Sequence, residues 1–351
     1  MSDPLQPRGA VQRMAPYHPP TSGRAGKLRL DFNENTVGCS PRVVEFLQRR
    51  LSRDGLAVYP EYNEVRPKLA AFFHVAPEEL LLTNGTDEAI QVLMNTYVDD
   101  GDDVLLLRPS YAMYRFYAEV AGASIRELSY RPEDLSFPLS ELIGAIRPET
   151  RAILIANPNN PTGTGVRVPD IKLILETAPD AAVLIDEAYY EFSGATVLPL
   201  LGEYPNLFVS RTFSKVYGMA AMRLGCLFSQ AGNVAFLHKC QSPYSVNGMA
   251  ALAALAAIED TQYVWDYVTE ILAAREMLYV GFEQRGIKYY PSEANFVLFR
   301  AGDRAIEIRD HLRERQVLVR DRSYELPGCV RVTVGTRDQV QRFFQALEEI
   351  W

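Results

Sequence analysis

The stretch Ser-Arg-Thr-Phe-Ser-Lys-Val-Tyr-Gly at residues 210–218 is the most informative part of this 351-residue chain. It sets one lysine, Lys215, among small hydroxyls and aromatic rings, and Arg223 follows eight residues later. A lysine held beside hydroxyls and a fixed cation is suited to form a Schiff base with an aldehyde. The hydroxyls and the arginine could then hold a phosphate. Taken alone, the run is also typical of a lysine in a solvated polar loop.

Upstream, an apolar run at residues 181–185 ends in Asp186, with Tyr189 three residues further on. A run of this length after Pro179-Asp180 predicts a buried parallel strand. Ligands of open α/β sheets bind at the carboxyl ends of such strands, where a carboxylate can keep a pyridinium nitrogen protonated. A helix N-cap or a metal ligand would also explain Asp186, but neither would explain Tyr189.

Two further strand ends carry polar residues. The turn Asn-Pro-Asn-Asn-Pro-Thr-Gly at 157–163 follows an apolar run and leaves Asn160 free to donate to an anionic oxygen, although an ordinary strand-ending turn would look the same. The run at 80–83 leads into Gly85, Thr86 and Asp87 at a predicted helix start, where free backbone N–H groups favour an anion. Plain N-capping by Thr86 or Asp87 is the alternative.

Composition narrows the class of protein. The chain is 48% hydrophobic and 23% charged, as globular proteins are, and its net charge of −8 gives no general basic footprint for nucleic acid. Residues 1–29 lack the apolar core of a signal peptide, and the apolar helix predicted at 249–258 is too short to span a membrane. The cysteines have no metal-binding spacing, which predicts reduced thiols and a cytoplasmic location. They are Cys39, Cys226, Cys240 and Cys329.

Short apolar strands alternate with helices up to about residue 245, which predicts a mostly parallel sheet. An early helix at 41–51 would carry Val44, Leu47 and Leu51 on one face. Beyond residue 245 the pattern changes to long helices and a few strands. The predicted organisation is an N-terminal arm or part of the small domain at 1–40, a large domain at 41–245 and a small domain at 246–351. A dinucleotide fingerprint fails because Val168 stands where the third glycine would be, and no P-loop motif is present.

In order and spacing, these segments resemble the fold-type-I pyridoxal-phosphate (PLP) aminotransferases, from about residue 17 to the C-terminus. Within that class the chain is most similar to the histidinol-phosphate aminotransferases. The supporting segments are residues 15–17, 30–35, 59–61, 109–114, 319–321 and 330–336. The resemblance implies an α/β fold with a mostly parallel sheet between helices in a large PLP-binding domain, plus a smaller α+β domain.

The resemblance also implies roles around the cofactor. Lys215 would form the Schiff base and move the substrate proton, and Asp186 would pair with the pyridine nitrogen. Asn160 and Tyr189 would hydrogen-bond the phenolic oxygen. Tyr111 would stack on the ring, although a core aromatic at a helix start is a rival interpretation. The expected phosphate ligands are Gly85, Thr86, Asp87, Thr212, Ser214 and Arg223.

For substrate, the resemblance assigns the carboxylate clamp to Arg331, and the distal phosphate or side chain to Tyr17, Asn33 and Arg320. Arg322 is close enough to Arg320 in sequence to be confused with it. Tyr59 would reach the phosphate of a neighbouring subunit, which implies a homodimer with shared active sites.

The implied reaction is a two-stage transamination between an amino donor and a 2-oxo acid acceptor: histidinol phosphate (or its keto form, imidazole acetol phosphate) with glutamate and 2-oxoglutarate. The segment at 33–41 departs from the family pattern, with Thr36 and Val37 in place of a proline and an aromatic residue. An aromatic or broad-specificity aminotransferase is therefore an open alternative. A threonine-phosphate decarboxylase-like lyase matches residues 31–35 less well.

Overall fold

The computed structural model describes residues 5–16 and 22–351. The helices are α1 (Gly9–Arg13), α2 (Pro41–Arg50), α3 (Arg53–Ala57), α4 (Val65–Phe73), α5 (Gly85–Tyr97), α6 (Ala112–Ala121), α7 (Leu139–Ala145), α8 (Val168–Thr177), α9 (Tyr190–Ser193), α10 (Ala231–Cys240), α11 (Gly248–Glu259), α12 (Thr261–Gln284), α13 (Ala305–Glu314) and α14 (Arg337–Glu348). The strands are β1 (Leu28–Arg29), β2 (Leu80–Thr83), β3 (Asp103–Arg108), β4 (Ser124–Ser129), β5 (Thr150–Ala156), β6 (Ala182–Asp186), β7 (Leu207–Thr212), β8 (Gly225–Phe228), β9 (Tyr289–Tyr290), β10 (Phe296–Arg300), β11 (Val317–Leu318), β12 (Arg320–Asp321) and β13 (Cys329–Thr333).

The main sheet has seven strands in the order β2-β8-β7-β6-β5-β3-β4. The strands from β3 to β7 pair in parallel, whereas β8 is antiparallel to both of its neighbours. Every residue of β6 and β7 is buried, because helices cover both faces of the sheet. The predicted α/β class with a mostly parallel sheet is confirmed.

The carboxyl ends of three adjacent strands meet at one edge of this sheet. Ala156 of β5 pairs with Asp186 of β6, and Asp186 pairs with Ser210 of β7. The loop that follows β7 leads directly to Lys215. The sheet register therefore gathers residues that lie 24 to 30 positions apart in sequence.

A second sheet, in the order β12-β13-β10-β9, is antiparallel and packs with α12, α13 and α14. Its register sets Arg320 of β12 opposite Arg331 of β13. Strand β1 joins this half of the molecule, because it pairs in parallel with β11. The domain boundaries at residues 40/41 and 245/246 stay predictions.

Helix α2 differs in its packing from what its pattern suggests. Its buried residue is Val43, whereas Val44 and the adjoining Leu51 are 47% and 54% exposed. Leu56, Val58 and Tyr59 add further exposed apolar side chains just downstream. In the described residues, no helix is both long and apolar enough to cross a bilayer.

Candidate active site

A cavity of about 520 Å³ opens at the carboxyl edge of the main sheet and reaches the second sheet. This volume lies within the range of about 300–1,000 Å³ that is usual for small-molecule sites. Most of the side chains predicted from sequence line it. They are Asn33, Thr86, Asp87, Tyr111, Asn160, Asp186, Tyr189, Thr212, Ser214, Lys215, Arg223, Arg320 and Arg331.

Asp186 lies buried at the end of β6, where two hydroxyls hold its carboxylate. Ser210 donates to Oδ1 and Tyr114 donates to Oδ2, each at 2.8 Å. Burial nevertheless raises the pKa of Asp186 to about 6, against the lowering effect of the two hydrogen bonds. Such a carboxylate is suited to receive a cationic N–H from a bound ring.

Lys215 enters the cavity from the loop after β7. Its Nζ donates to the carbonyl oxygen of Phe32 at 3.0 Å and lies 5.7 Å from the centre of the Tyr189 ring. The Tyr189 hydroxyl in turn accepts a hydrogen bond of 3.0 Å from Nδ2 of Asn33. Lysine, phenol and amide thus form one side of the cavity, and Asn33 supports Tyr189.

An anion cradle lies at the start of α5, where no side chain caps the first N–H groups. Arg223 crosses this helix start, with Nη1 donating to Ser214 Oγ at 3.3 Å and Nη2 donating to Asp87 Oδ2 at 3.3 Å. A Cβ on Gly85 would collide with the Arg223 guanidinium. The Thr86 hydroxyl is buried without a partner among the described residues. Backbone N–H groups, an arginine and hydroxyls are the donors that hold a phosphate.

Tyr111 is half-buried at the entrance of α6. Its hydroxyl donates to Asp87 Oδ1 at 2.7 Å, and its ring packs edge-on against Tyr114 at 5.6 Å between centroids. Burial, with the nearby Asp87 charge, raises the pKa of Tyr111 well above its ordinary value, so the phenol stays protonated. The ring lines the cavity, as a stacking residue must.

Arg331 closes the far end of the cavity. Its Nη1 donates to Asn160 Oδ1, and its Nη2 donates to the Asp31 carbonyl at 2.6 Å. Burial, together with the neighbouring charges of Arg322 and Arg320, lowers the pKa of Arg331 to about 10. The amide oxygen of Asn160 is thus occupied, which leaves its nitrogen for a ligand. A buried cation among cations is suited to an anionic partner.

Three residues that hold this site were absent from the sequence prediction: Tyr114, Ser210 and the backbone of Phe32. The signal for Ser210 was its position two residues before Thr212, on the same face of a predicted strand. Tyr114 lies three residues after Tyr111, on the same side of a predicted helix. Nothing in the sequence pointed to the Phe32 carbonyl as part of the site.

One predicted residue, Tyr59, lies away from the cavity. Tyr59 is 74% exposed, stacks on Tyr244 at 4.5 Å and does not line the cavity. Tyr17 falls outside the described residues. In the part of the chain that the structure describes, no group of three His, Cys, Asp or Glu side chains could hold a metal ion.

The sequence matches the family model described as "Aminotransferase class I and II" over residues 25–347. Among curated relatives, the histidinol-phosphate aminotransferase of Symbiobacterium thermophilum is 38% identical over 97% of both chains. The protein of the same name from Geobacillus sp. (strain WCH70) is 34% identical, over 99% of this chain and 95% of its own.

Solved structures show the same fold. The histidinol-phosphate aminotransferase of Sinorhizobium meliloti, determined in complex with pyridoxal-5'-phosphate, superposes with a TM-score of 0.90 at 23% identity and covers 99% of this chain and 98% of its own. A variant of Thermus thermophilus aspartate aminotransferase reaches a TM-score of 0.84 at 22% identity, over 100% of both chains. Because proteins with different donors share the fold, the fold does not select a substrate.

Proposed function

The chain belongs to the class I and II aminotransferases, which are PLP-dependent transaminases, and from this we propose that it exchanges an amino group between histidinol phosphate and 2-oxoglutarate. The observation that carries the substrate is the similarity of 33–38%, over nearly the whole chain, to relatives named for that activity. The reverse direction, from glutamate to imidazole acetol phosphate, is the same chemistry.

The residues of the cavity fit PLP. Three features form a cradle for its phosphate. They are the Thr86 hydroxyl without a partner among the described residues, the uncapped start of α5, and the space that the missing side chain of Gly85 leaves beside Arg223. At the other side, Asp186 is a buried carboxylate of raised pKa that a ring N–H cation would stabilise. We propose Lys215 as the covalent attachment point. When bound, PLP supplies a ring that withdraws electrons from the donor Cα.

The protein's own residues would perform the remaining steps. When its amine is free, Lys215 Nζ would take the proton from the donor Cα and deliver it to C4′ of the cofactor. Tyr189 and the amide nitrogen of Asn160 would hydrogen-bond the ring oxygen, with Asn33 keeping the Tyr189 hydroxyl in position. Tyr111, which Asp87 fixes through its hydroxyl, would cover one ring face.

Phosphate recognition rests on the arginines at the far end of the cavity. Histidinol phosphate has no α-carboxylate, so Arg331 would hold its phosphate and, in the other half-reaction, a carboxylate of glutamate. The departure at Thr36 and Val37 does not argue against this substrate. Val37 is 58% exposed and does not line the cavity. The side chain of Asn35 accepts hydrogen bonds from the backbone N–H groups of Val37 and Gly38 and so holds the turn.

We also propose a homodimer in which Tyr59 completes the partner's phosphate site. Four apolar side chains that precede Tyr59 in sequence are also exposed, and a second subunit would cover them: Val44, Leu51, Leu56 and Val58. The cytoplasmic location stays a prediction, which the four free cysteines support.

A donor screen tests the proposed function. Purified enzyme should form glutamate from 2-oxoglutarate with histidinol phosphate as donor, at a kcat/KM at least about 100-fold above that with phenylalanine or tyrosine. The Lys215→Ala variant is the zero-activity control, and CO₂ release is monitored to detect a lyase. Preference for an aromatic amino acid would refute the substrate and leave the aminotransferase class intact.

A further inference from the structure

Two buried guanidinium nitrogens in the active-site cavity have no hydrogen-bond partner among the described residues. They are Nε of Arg331 and Nε of Arg322, and both residues line the cavity. Arg331 is only 4% exposed and Arg322 only 8%. A buried N–H without a partner costs free energy, so two of them in one cavity point to an acceptor that a ligand brings.

Arg322 is held rigidly in a tight turn after β12. Its backbone N–H donates to the Cys329 carbonyl at 2.9 Å, and its own carbonyl accepts from the N–H groups of Glu325 and Leu326. Its Nη2 forms an ion pair with the Glu325 carboxylate. This carboxylate occupies one part of the guanidinium and leaves Nε for another acceptor.

Arg320 has a different environment, although it is only two residues away. Its guanidinium lies 5.4 Å from the centre of the Phe32 ring, and Arg24 covers the same ring at 4.4 Å. Arg24 is itself engaged by the carboxylates of Asp31 and Glu34. Arg322 also lies over an aromatic ring, with its guanidinium 5.1 Å from the centre of the Tyr324 ring. What distinguishes Arg322 from Arg320 is its buried Nε, which has no partner among the described residues.

The charges at this end of the cavity match a ligand with two negative charges. Arg320, Arg322 and Arg331 bring three positive charges, and Glu325 compensates one of them. The nearby carboxylates of Asp31 and Glu34 are both paired with Arg24, and Glu34 is also paired with Arg29. A phosphate carries a charge of about −1.5 to −2 near neutral pH.

We infer that Arg322, held in place by Glu325, is a specificity-determining residue that binds the distal anion of the donor together with Arg331. The inference rests on the proposed function and adds to it a residue and a counter-ion that the sequence comparison does not assign. Arg322 would meet the anion through Nε, and Glu325 acts as a positioning residue that never touches the substrate.

Kinetics of the holoenzyme with two matched donors test the role of Arg322. Histidinol has the same skeleton as histidinol phosphate but no phosphate. Arg322→Gln should raise KM for histidinol phosphate about 30-fold or more, as expected for the loss of a desolvated charge partner, and leave kcat/KM for histidinol within about 2-fold. Arg320→Gln, the matched control, should raise that KM less. An equal loss with both donors, or no loss in Arg322→Gln, overturns the inference.

Glu325→Gln tests the positioning role. Without its ion pair Arg322 is no longer fixed, so KM for histidinol phosphate should rise about 5-fold while kcat and the use of histidinol are retained; Glu325→Asp should restore part of the affinity. A purely structural role would lower activity with both donors alike and would overturn this assignment.

Failure of the substrate proposal can be distinguished from failure of the inference about Arg322. If the wild type ignores histidinol phosphate but uses another donor, ethyl phosphate replaces it as the probe, measured as an inhibitor competitive with that donor. Loss of inhibition in Arg322→Gln then supports an anion site at Arg322, and unchanged inhibition, or none in the wild type, overturns it.

Discussion

Replacing Asp186 by Asn should stabilise the cofactor-free protein while disabling the enzyme. Burial raises the pKa of Asp186 from its ordinary 3.8 to about 6. Ionising this carboxyl therefore costs free energy in the folded protein, whereas the same carboxyl ionises without that cost in the unfolded chain. At 1.36 kcal/mol per pKa unit, this cost reaches roughly 3 kcal/mol at pH values above 6.

The pH dependence has a definite sign. Because the folded pKa lies above the unfolded one, the cost is fully present above about pH 6, declines as the pH falls and is gone below about pH 4. Asparagine is neutral throughout and lacks this cost, although rearranging the hydrogen bonds from Ser210 and Tyr114 should offset about 1 kcal/mol. The net gain in the variant should be about 2 kcal/mol at pH 8.

Urea denaturation of both cofactor-free proteins at pH 8 and pH 5 measures this effect. The advantage of Asp186→Asn should shrink by about half or more at pH 5, and the variant reconstituted with PLP should turn over at least about 100-fold more slowly. A variant that is no more stable than the wild type at pH 8, or a gap that does not depend on pH, would refute the burial argument. Near-native turnover would remove Asp186 from the cofactor site.

Two further predictions concern the phosphate cradle. Gly85 has φ of +73° and no room for a Cβ below Arg223, so Gly85→Ala should weaken PLP binding at least about 10-fold, measured by titrating the cofactor-free protein; unchanged affinity would contradict the cradle. If Tyr59 serves the neighbouring subunit, inactive Tyr59→Ala and Lys215→Ala proteins should regain partial activity when mixed and refolded. No recovery in hybrids with verified subunit exchange would mean that each site is complete within one chain.

Some of the active site could be predicted from local sequence alone. Apolar runs that end in a polar residue identified Asp186, Asn160 and the helix start at Gly85, and Lys215 stood out among its hydroxyl neighbours. Asp186, Asn160 and Lys215 line one cavity because the carboxyl ends of parallel strands meet at one edge of a sheet, whereas their roles stay predictions. The class of fold follows from the same alternation of strands and helices.

The partners of these residues could not be found in this way, because they depend on register, helix rotation and long-range approach. The Ser210 hydroxyl reaches Asp186 only because β6 and β7 pair in that register, and the Tyr114 hydroxyl reaches it through the packing of α6. The carbonyl that accepts from Lys215 belongs to Phe32, 183 residues earlier.

Arg320 and Arg322 show the same division between what sequence predicts and what tertiary structure decides. Sequence assigned Arg320 to the substrate but could not exclude Arg322 in its place, because residues two apart on a strand share a face. Tertiary structure separates them, since Arg320 packs on Phe32 whereas Arg322 is buried and paired with Glu325. Sequence by itself pointed to the lysine, the carboxylate and the arginines that line the cavity. The folded structure added their partners and decided which groups are already satisfied and which are left for a ligand, because that depends on contacts between distant parts of the chain.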